Sequence, residues 1–140
     1  MNRMKYIFGF FLVIAIAVLA VNYNRSRNQA VTTDETAVYR RISAQEAKDM
    51  MDKNEEVVIV DVRTQGEYDS GHIEGAILIP NETIVNDRPE QLSDTDAIIL
   101  VYCRSGNRSN TAAKKLINAG YRNVYDFGGI IDWPFEIVSD

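Results

Sequence analysis

From Tyr39 onward, short apolar runs alternate with stretches of helical spacing. Tyr39-Arg40-Arg41-Ile42 predicts a short first strand. Ser43-Ala44-Gln45-Glu46 then has the form of a capping box, opening a helix that turns Ala47, Met50 and Met51 inward and ends at Asp52-Lys53-Asn54. Val57-Val58-Ile59-Val60 predicts a second, buried strand with Asp61 at its carboxyl end. Ala76-Ile77-Leu78-Ile79 predicts a third strand closed by Pro80, and Asn81 to Leu92 a weaker helical segment broken at Pro89. Ala97-Ile98-Ile99-Leu100-Val101-Tyr102 is continuous and rich in β-branched residues, as a strand covered on both faces of a parallel sheet should be. Beyond it, Ala112 with Leu116 and Ala113 with Ile117 recur at helical spacing, with Ser109 as the expected N-cap and Gly120 as the expected stop. Asn123 to Phe127 predicts the last strand, and Gly128-Gly129 a tight turn into Ile130, Ile131, Trp133 and Phe135. Strands and helices in strict alternation with short links argue for an α/β fold, a parallel sheet with helices on both faces.

The front of the chain has a different pattern. Tyr6 to Val21 holds 16 residues without a charge, preceded by Arg3 and Lys5 and followed by Asn22, Tyr23, Arg25 and Arg27. As a helix this run rises about 24 Å, short of a hydrocarbon core of roughly 30 Å, and Asn22 and Tyr23 extend it into the interface. We read residues 1–5 as a flank, 6–23 as a transmembrane anchor or signal peptide, 24–38 as a polar linker and 39–140 as the folded domain. An uncleaved anchor is the favoured reading. Val18-Leu19-Ala20 supports the rival, a cleaved signal peptide that leaves a secreted or periplasmic domain. In either case the positive flank predicts a domain outside the cytoplasm, at the cell membrane if the segment is retained.

Composition adds three constraints. A chain of 140 residues, 46% hydrophobic, holds one ordinary domain with this appendage and no second one. Four of the 15 basic residues and none of the 20 acidic ones lie in the first 33, which leaves the remainder with 11 basic against 20 acidic side chains, a net −9. Such a surface repels nucleic acid, so no nucleic-acid partner is expected, and no protein partner is legible. The single cysteine, Cys103, excludes an intramolecular disulfide.

Cys103 stands at the end of the apolar strand and opens Cys103-Arg104-Ser105-Gly106-Asn107-Arg108-Ser109, before a helix. Strand, tight loop and helix aim backbone N–H groups and the positive helix end at one point, where the sulfur should lie. Arg104 and Arg108 bracket that point, and such a field lowers a thiol from about 8.5 toward a range of roughly 3.5 to 7.5. The expected chemistry is nucleophilic attack on an anionic substrate.

These residues, together with Asp61-Val62-Arg63, Gly71-His72-Ile73-Glu74-Gly75-Ala76 and Gly128-Gly129-Ile130 through Trp133, resemble a rhodanese domain over Tyr39 to Ile137. The resemblance implies a five-stranded sheet with the Cys103 loop after the fourth strand. It implies sulfurtransferase activity: Cys103 takes a sulfane sulfur from a small anionic donor such as thiosulfate, carries it as a persulfide, and passes it to cyanide or a thiol. Backbone N–H groups from Ser105 to Ser109 would hold that sulfur, Arg104 and Arg108 would orient the donor, and Gly106 would let the loop close, with Asn107 completing the substrate-binding stretch. Asp61, near the loop in this family, is expected to accept hydrogen bonds from loop groups. Four residues separate Cys103 from Arg108, against five in the related phosphatase signature, which disfavours phosphatase or arsenate reductase chemistry. A binding module that holds sulfur or a partner without turnover is the alternative of another class.

The remaining candidates take bland readings. His72 is the only histidine and is read as a packed loop residue rather than a general base. No second His or Cys stands at ligand spacing, so neither a metal nor another cofactor is expected. Arg63 and Glu67, four apart, suit a structural ion pair, and Trp133 and Phe135 suit core anchors.

Overall fold

The computed structural model describes residues 37–53, 56–85 and 87–139. The strands are β1 (Val38–Arg41), β2 (Val58–Asp61), β3 (Ile77–Leu78), β4 (Ile98–Cys103) and β5 (Asn123–Gly129), and the helices are α1 (Ala44–Lys53), α2 (Gln65–Asp69) and α3 (Asn107–Asn118). All strand pairs are parallel, in the order β1-β5-β4-β2-β3. β4 is therefore central, and its apolar continuity follows from being covered twice. Ile99, Val101 and Cys103 face one cluster with Ala112, Ala113 and Leu116 of α3, whereas Leu100 and Tyr102 face another with Ala47, Phe127 and Trp133. Leu100, Val101 and Leu116 are wholly buried, so truncating either leucine to Ala should cost about 2–5 kcal/mol.

Local signals account for much of this. The capping box at Ser43 is formed, Glu46 N–H donating to Ser43 Oγ at 3.2 Å and Ser43 N–H to Glu46 Oε2 at 2.8 Å. Gly120 follows α3 with φ +96°, a left-handed stop. Trp133 is buried and packs between Phe127 and Phe135, at ring-centroid distances of 5.4 and 4.9 Å.

Four expectations change. The segment from Asn81 to Leu92 contains, among its described residues, only a single 3-10 turn at Asn81–Thr83. Ile84 and Leu92 are buried as separate anchors, and tertiary contacts take the segment's polar groups: Lys115 donates to the Asn81 carbonyl at 2.7 Å. The third strand shrinks to two residues because the Ala76 N–H turns back to the Ile73 carbonyl. α3 starts three residues after Cys103's neighbour Arg104, with Gly106 rather than Ser109 as its N-cap. Gly128 and Gly129 are not a turn but the end of β5, where the register with β4 shifts between Val101 and Tyr102.

The segment expected to target the membrane and most of the expected linker lie outside the described residues. Among the described residues, no helix is long and apolar enough to cross a membrane.

Candidate active site

Cys103 ends β4, and its sulfur lies where the chain turns into α3. The residue is 1% exposed. Gly106 N–H donates to Sγ at 3.0 Å, and Ser109 Oγ lies 3.7 Å away. Gly106 can present its N–H because it adopts φ +100°, which a residue with a Cβ rarely does. Ser109, instead of capping the helix, is buried beneath the loop with its hydroxyl also within reach of the Gly106 and Gly128 carbonyls, at 3.1 and 3.3 Å. Burial by itself pushes the Cys103 thiol up. Hydrogen bonds from the backbone and hydroxyl of Ser109 and from the Gly106 and Ser105 N–H groups outweigh it, and the thiol is lowered.

Hydrogen bonding from the loop, which the strand-loop-helix pattern predicts, is prominent in that lowering, and of the two bracketing arginines Arg108 is coupled to Cys103 through its charge. Arg104 is exposed, while Arg108 is half-buried and ion-paired. Its Nη1 and Nη2 donate to the two carboxylate oxygens of Glu67 at 2.8 and 2.7 Å. Glu67 also closes a capping box on α2, accepting from Thr64 N–H at 3.0 Å. The Arg108 hydrogen bonds, against some burial, lower its carboxyl from the ordinary 4.5 to about 2. Ser105 and Asn107 are exposed at the rim.

Asp61 accepts its hydrogen bonds from Arg63 rather than from groups of the loop. It is fully buried and accepts from Arg63 N–H at 2.9 Å, from Nε at 3.0 Å and from Nη2 at 2.6 Å, while Nη2 also donates to the Gly71 carbonyl at 2.7 Å. The pairing of Arg63 with Glu67 is thereby replaced by two pairs, Asp61 with Arg63 and Glu67 with Arg108. His72 takes the packed role: it stacks on Tyr68 at 3.7 Å between ring centroids, and its backbone bridges Val138.

Two residues shape the loop in ways the sequence reading did not assign, Gly129 being read as a turn glycine and Arg41 as part of a strand. Gly129 pairs with Cys103 across the sheet, and a Cβ there would lie 2.4 Å from the Arg104 carbonyl oxygen. Arg41, at the end of β1, pairs with buried Asp126 at 2.7 Å and lays its Nη2 against both Gly106 and Gly128. The Thr64-Gln65-Gly66-Glu67 capping signature was a legible signal for α2. No local pattern marks Arg41 as a loop contact, and the Gly128-Gly129 pair signals a backbone constraint without its partner. Among the described residues no cluster of three or more His, Cys, Asp or Glu side chains could hold a metal.

A family model described as Rhodanese-like domain matches residues 43–134. The chain is 35% identical over 106 residues to thiosulfate sulfurtransferase GlpE of Pseudomonas fluorescens, covering 72% of this chain and 94% of that one. It is also 35% identical over 107 residues to tRNA uridine(34) hydroxylase of Photorhabdus laumondii, covering 73% of this chain. The match spans only 30% of the hydroxylase's length. Among solved structures, a rhodanese-like domain protein from Staphylococcus aureus superposes with a TM-score of 0.62 at 32% identity, over 72% of this chain and 98% of that one.

Proposed function

The chain belongs to the rhodanese-like domain family, and on that premise we propose that it is a sulfurtransferase working through a persulfide on Cys103. The observation that carries the reading is the sulfur's own surroundings: a lowered thiol, with Gly106 N–H donating to Sγ at 3.0 Å from the mouth of a helix. With thiosulfate as donor, the Cys103 thiolate attacks the outer sulfur. An S–S bond forms to Sγ, the donor's S–S bond breaks, and its electron pair leaves on sulfite. The outer sulfur of the persulfide then sits among N–H groups suited to its negative charge. Attack on that sulfur by cyanide or a thiolate breaks the new bond and returns the Cys103 thiolate. Arg104, exposed beside the loop, meets the incoming donor; Arg108, tied to Glu67, holds the loop's shape.

The apolar segment Tyr6 to Val21 supports a further part of this reading, that the domain is held at the membrane or exported across it. Retention of the full-length chain in the membrane pellet after alkaline carbonate extraction, with the domain accessible to external protease, is the expected result for an anchor facing outward.

The test of the chemistry is the intact mass of the full-length protein after thiosulfate treatment, beside its Cys103→Ser variant. A gain of one sulfur atom in the parent alone, reversed by cyanide, is expected. A folded Cys103→Ser protein that gains the sulfur or forms thiocyanate at the parent's rate overturns the assignment.

A further inference from the structure

Three guanidinium groups stand at the Cys103 loop, and two of them are already matched by carboxylates. Arg108 is held by both oxygens of Glu67 and also feels Glu82, from the 3-10 turn at Asn81–Thr83. Arg41, against Gly106 and Gly128, is paired with Asp126, which is fully buried. Only Arg104 is exposed without an ion pair among the described residues. The Gly106 N–H is engaged with the sulfur itself at 3.0 Å, and the Ser105 and Ser109 backbones help to lower the thiol. Around them lies a domain of net charge −9 from residue 34 onward.

A doubly charged donor would meet one unneutralised cation here, Arg108 being cancelled by Glu67, and repulsion from Glu82 besides. We infer that the preferred donor of this site is a persulfide carrying at most one negative charge, R–S–SH or its anion, rather than a dianion such as thiosulfate, and that Glu67 is the residue that sets this preference. The inference rests on the proposed sulfurtransferase reading and narrows its donor. Sγ attacks the terminal sulfur of R–S–SH, forming the Cys103 persulfide. The donor's S–S bond breaks with its electron pair leaving on R–S⁻, which takes the proton the terminal sulfur carried. No oxidant or reductant enters. Glu67 acts through Arg108 and touches no reacting atom, so it is a positioning residue whose charge cancels that of Arg108 beside the loop.

The experiment compares cysteine persulfide with thiosulfate as donors to the full-length protein. For each donor, kcat/KM is divided by that donor's rate constant with free cysteine, which removes intrinsic reactivity. The corrected preference should favour the persulfide in the parent. Glu67→Gln should shift it toward thiosulfate by about tenfold, the size expected for one charge acting on a dianion at short range. Glu82→Gln removes an exposed carboxylate that accepts from Asn81 Nδ2 at 3.4 Å, and should shift the preference the same way by about two- to threefold. It keeps the test decisive if Glu67→Gln does not fold. Loss of loop shape alone would lower both donors together and leave the preference where it was. Equal or better corrected use of thiosulfate by the parent overturns the inference, as does an unchanged preference in the folded variants. If neither donor loads Cys103, the sulfurtransferase reading itself has failed, a result distinct from both.

Discussion

Replacing Gly129 with Ala should disable the loop from behind. Gly129 has φ −117°, which Ala adopts readily, so the effect is steric and not conformational. The new Cβ would lie 2.4 Å from the Arg104 carbonyl oxygen, 2.7 Å from Ser105 Cα and 2.9 Å from Arg104 C. All three are backbone atoms, so no side chain can swing aside. Ordinary contact begins near 3.4 Å, and the loop must therefore retreat by about 1 Å. Gly106, one residue beyond Ser105, holds Sγ at 3.0 Å, and a shift of about 1 Å stretches that bond to the edge of hydrogen-bond range and weakens it. Overpacking of this kind costs about 1–3 kcal/mol, and misplacing catalytic groups by 1 Å costs on the order of 100-fold in rate. With its N–H donors drawn away, the Cys103 thiol should also rise, since burial then acts with less opposition. The assay is thiocyanate formation beside the pH dependence of Cys103 alkylation. A slower enzyme whose alkylation midpoint moves to higher pH is expected. A Gly129→Ala protein with the parent's rate and the parent's alkylation midpoint would refute the reasoning.

Other predictions follow from the buried charges and the loop. Arg63→Met leaves Asp61 fully buried without its guanidinium partner and should destabilise the domain by about 3–5 kcal/mol in urea unfolding; a loss below 1 kcal/mol would mean the pair is better solvated than its burial indicates. Glu67 is lowered from 4.5 to about 2 on folding, so its contribution is fully present above pH 4.5 and fades as pH falls toward 2. With both partners about 30% exposed, the stability difference between parent and Glu67→Gln should be about 1 kcal/mol at pH 7 and should shrink between pH 4.5 and 3; a difference constant over that range would contradict the pairing. Gly106→Ala combines a left-handed φ of +100° with a Cβ 2.9 Å from Arg41 Nη2. It should lose at least 1 kcal/mol of stability and most of the Cys103 alkylation rate at neutral pH, read by thermal unfolding and by thiol labelling.

What could be determined from the sequence alone was whatever is encoded by neighbours. The double coverage of β4 shows as an unbroken apolar run, the box at Ser43 and the stop at Gly120 are set within a few residues, and the Cys103 loop is contiguous from nucleophile to helix. Helical spacing misled where the chain was not a helix: Arg63 and Glu67 are four apart, but Asp61 and Arg63 flank a strand end, where residues two apart share a face. The charge pattern of the site was decided by tertiary structure. Glu67 and Arg108 are 41 residues apart and Arg41 and Asp126 are 85 apart, joined only because the strand order β1-β5-β4-β2 brings those ends to one edge. Gly129 likewise matters through the Arg104 backbone across the sheet. Local sequence carries periodicity and turn chemistry. Which buried carboxylate neutralises which guanidinium depends on desolvation and on partners brought close only by folding.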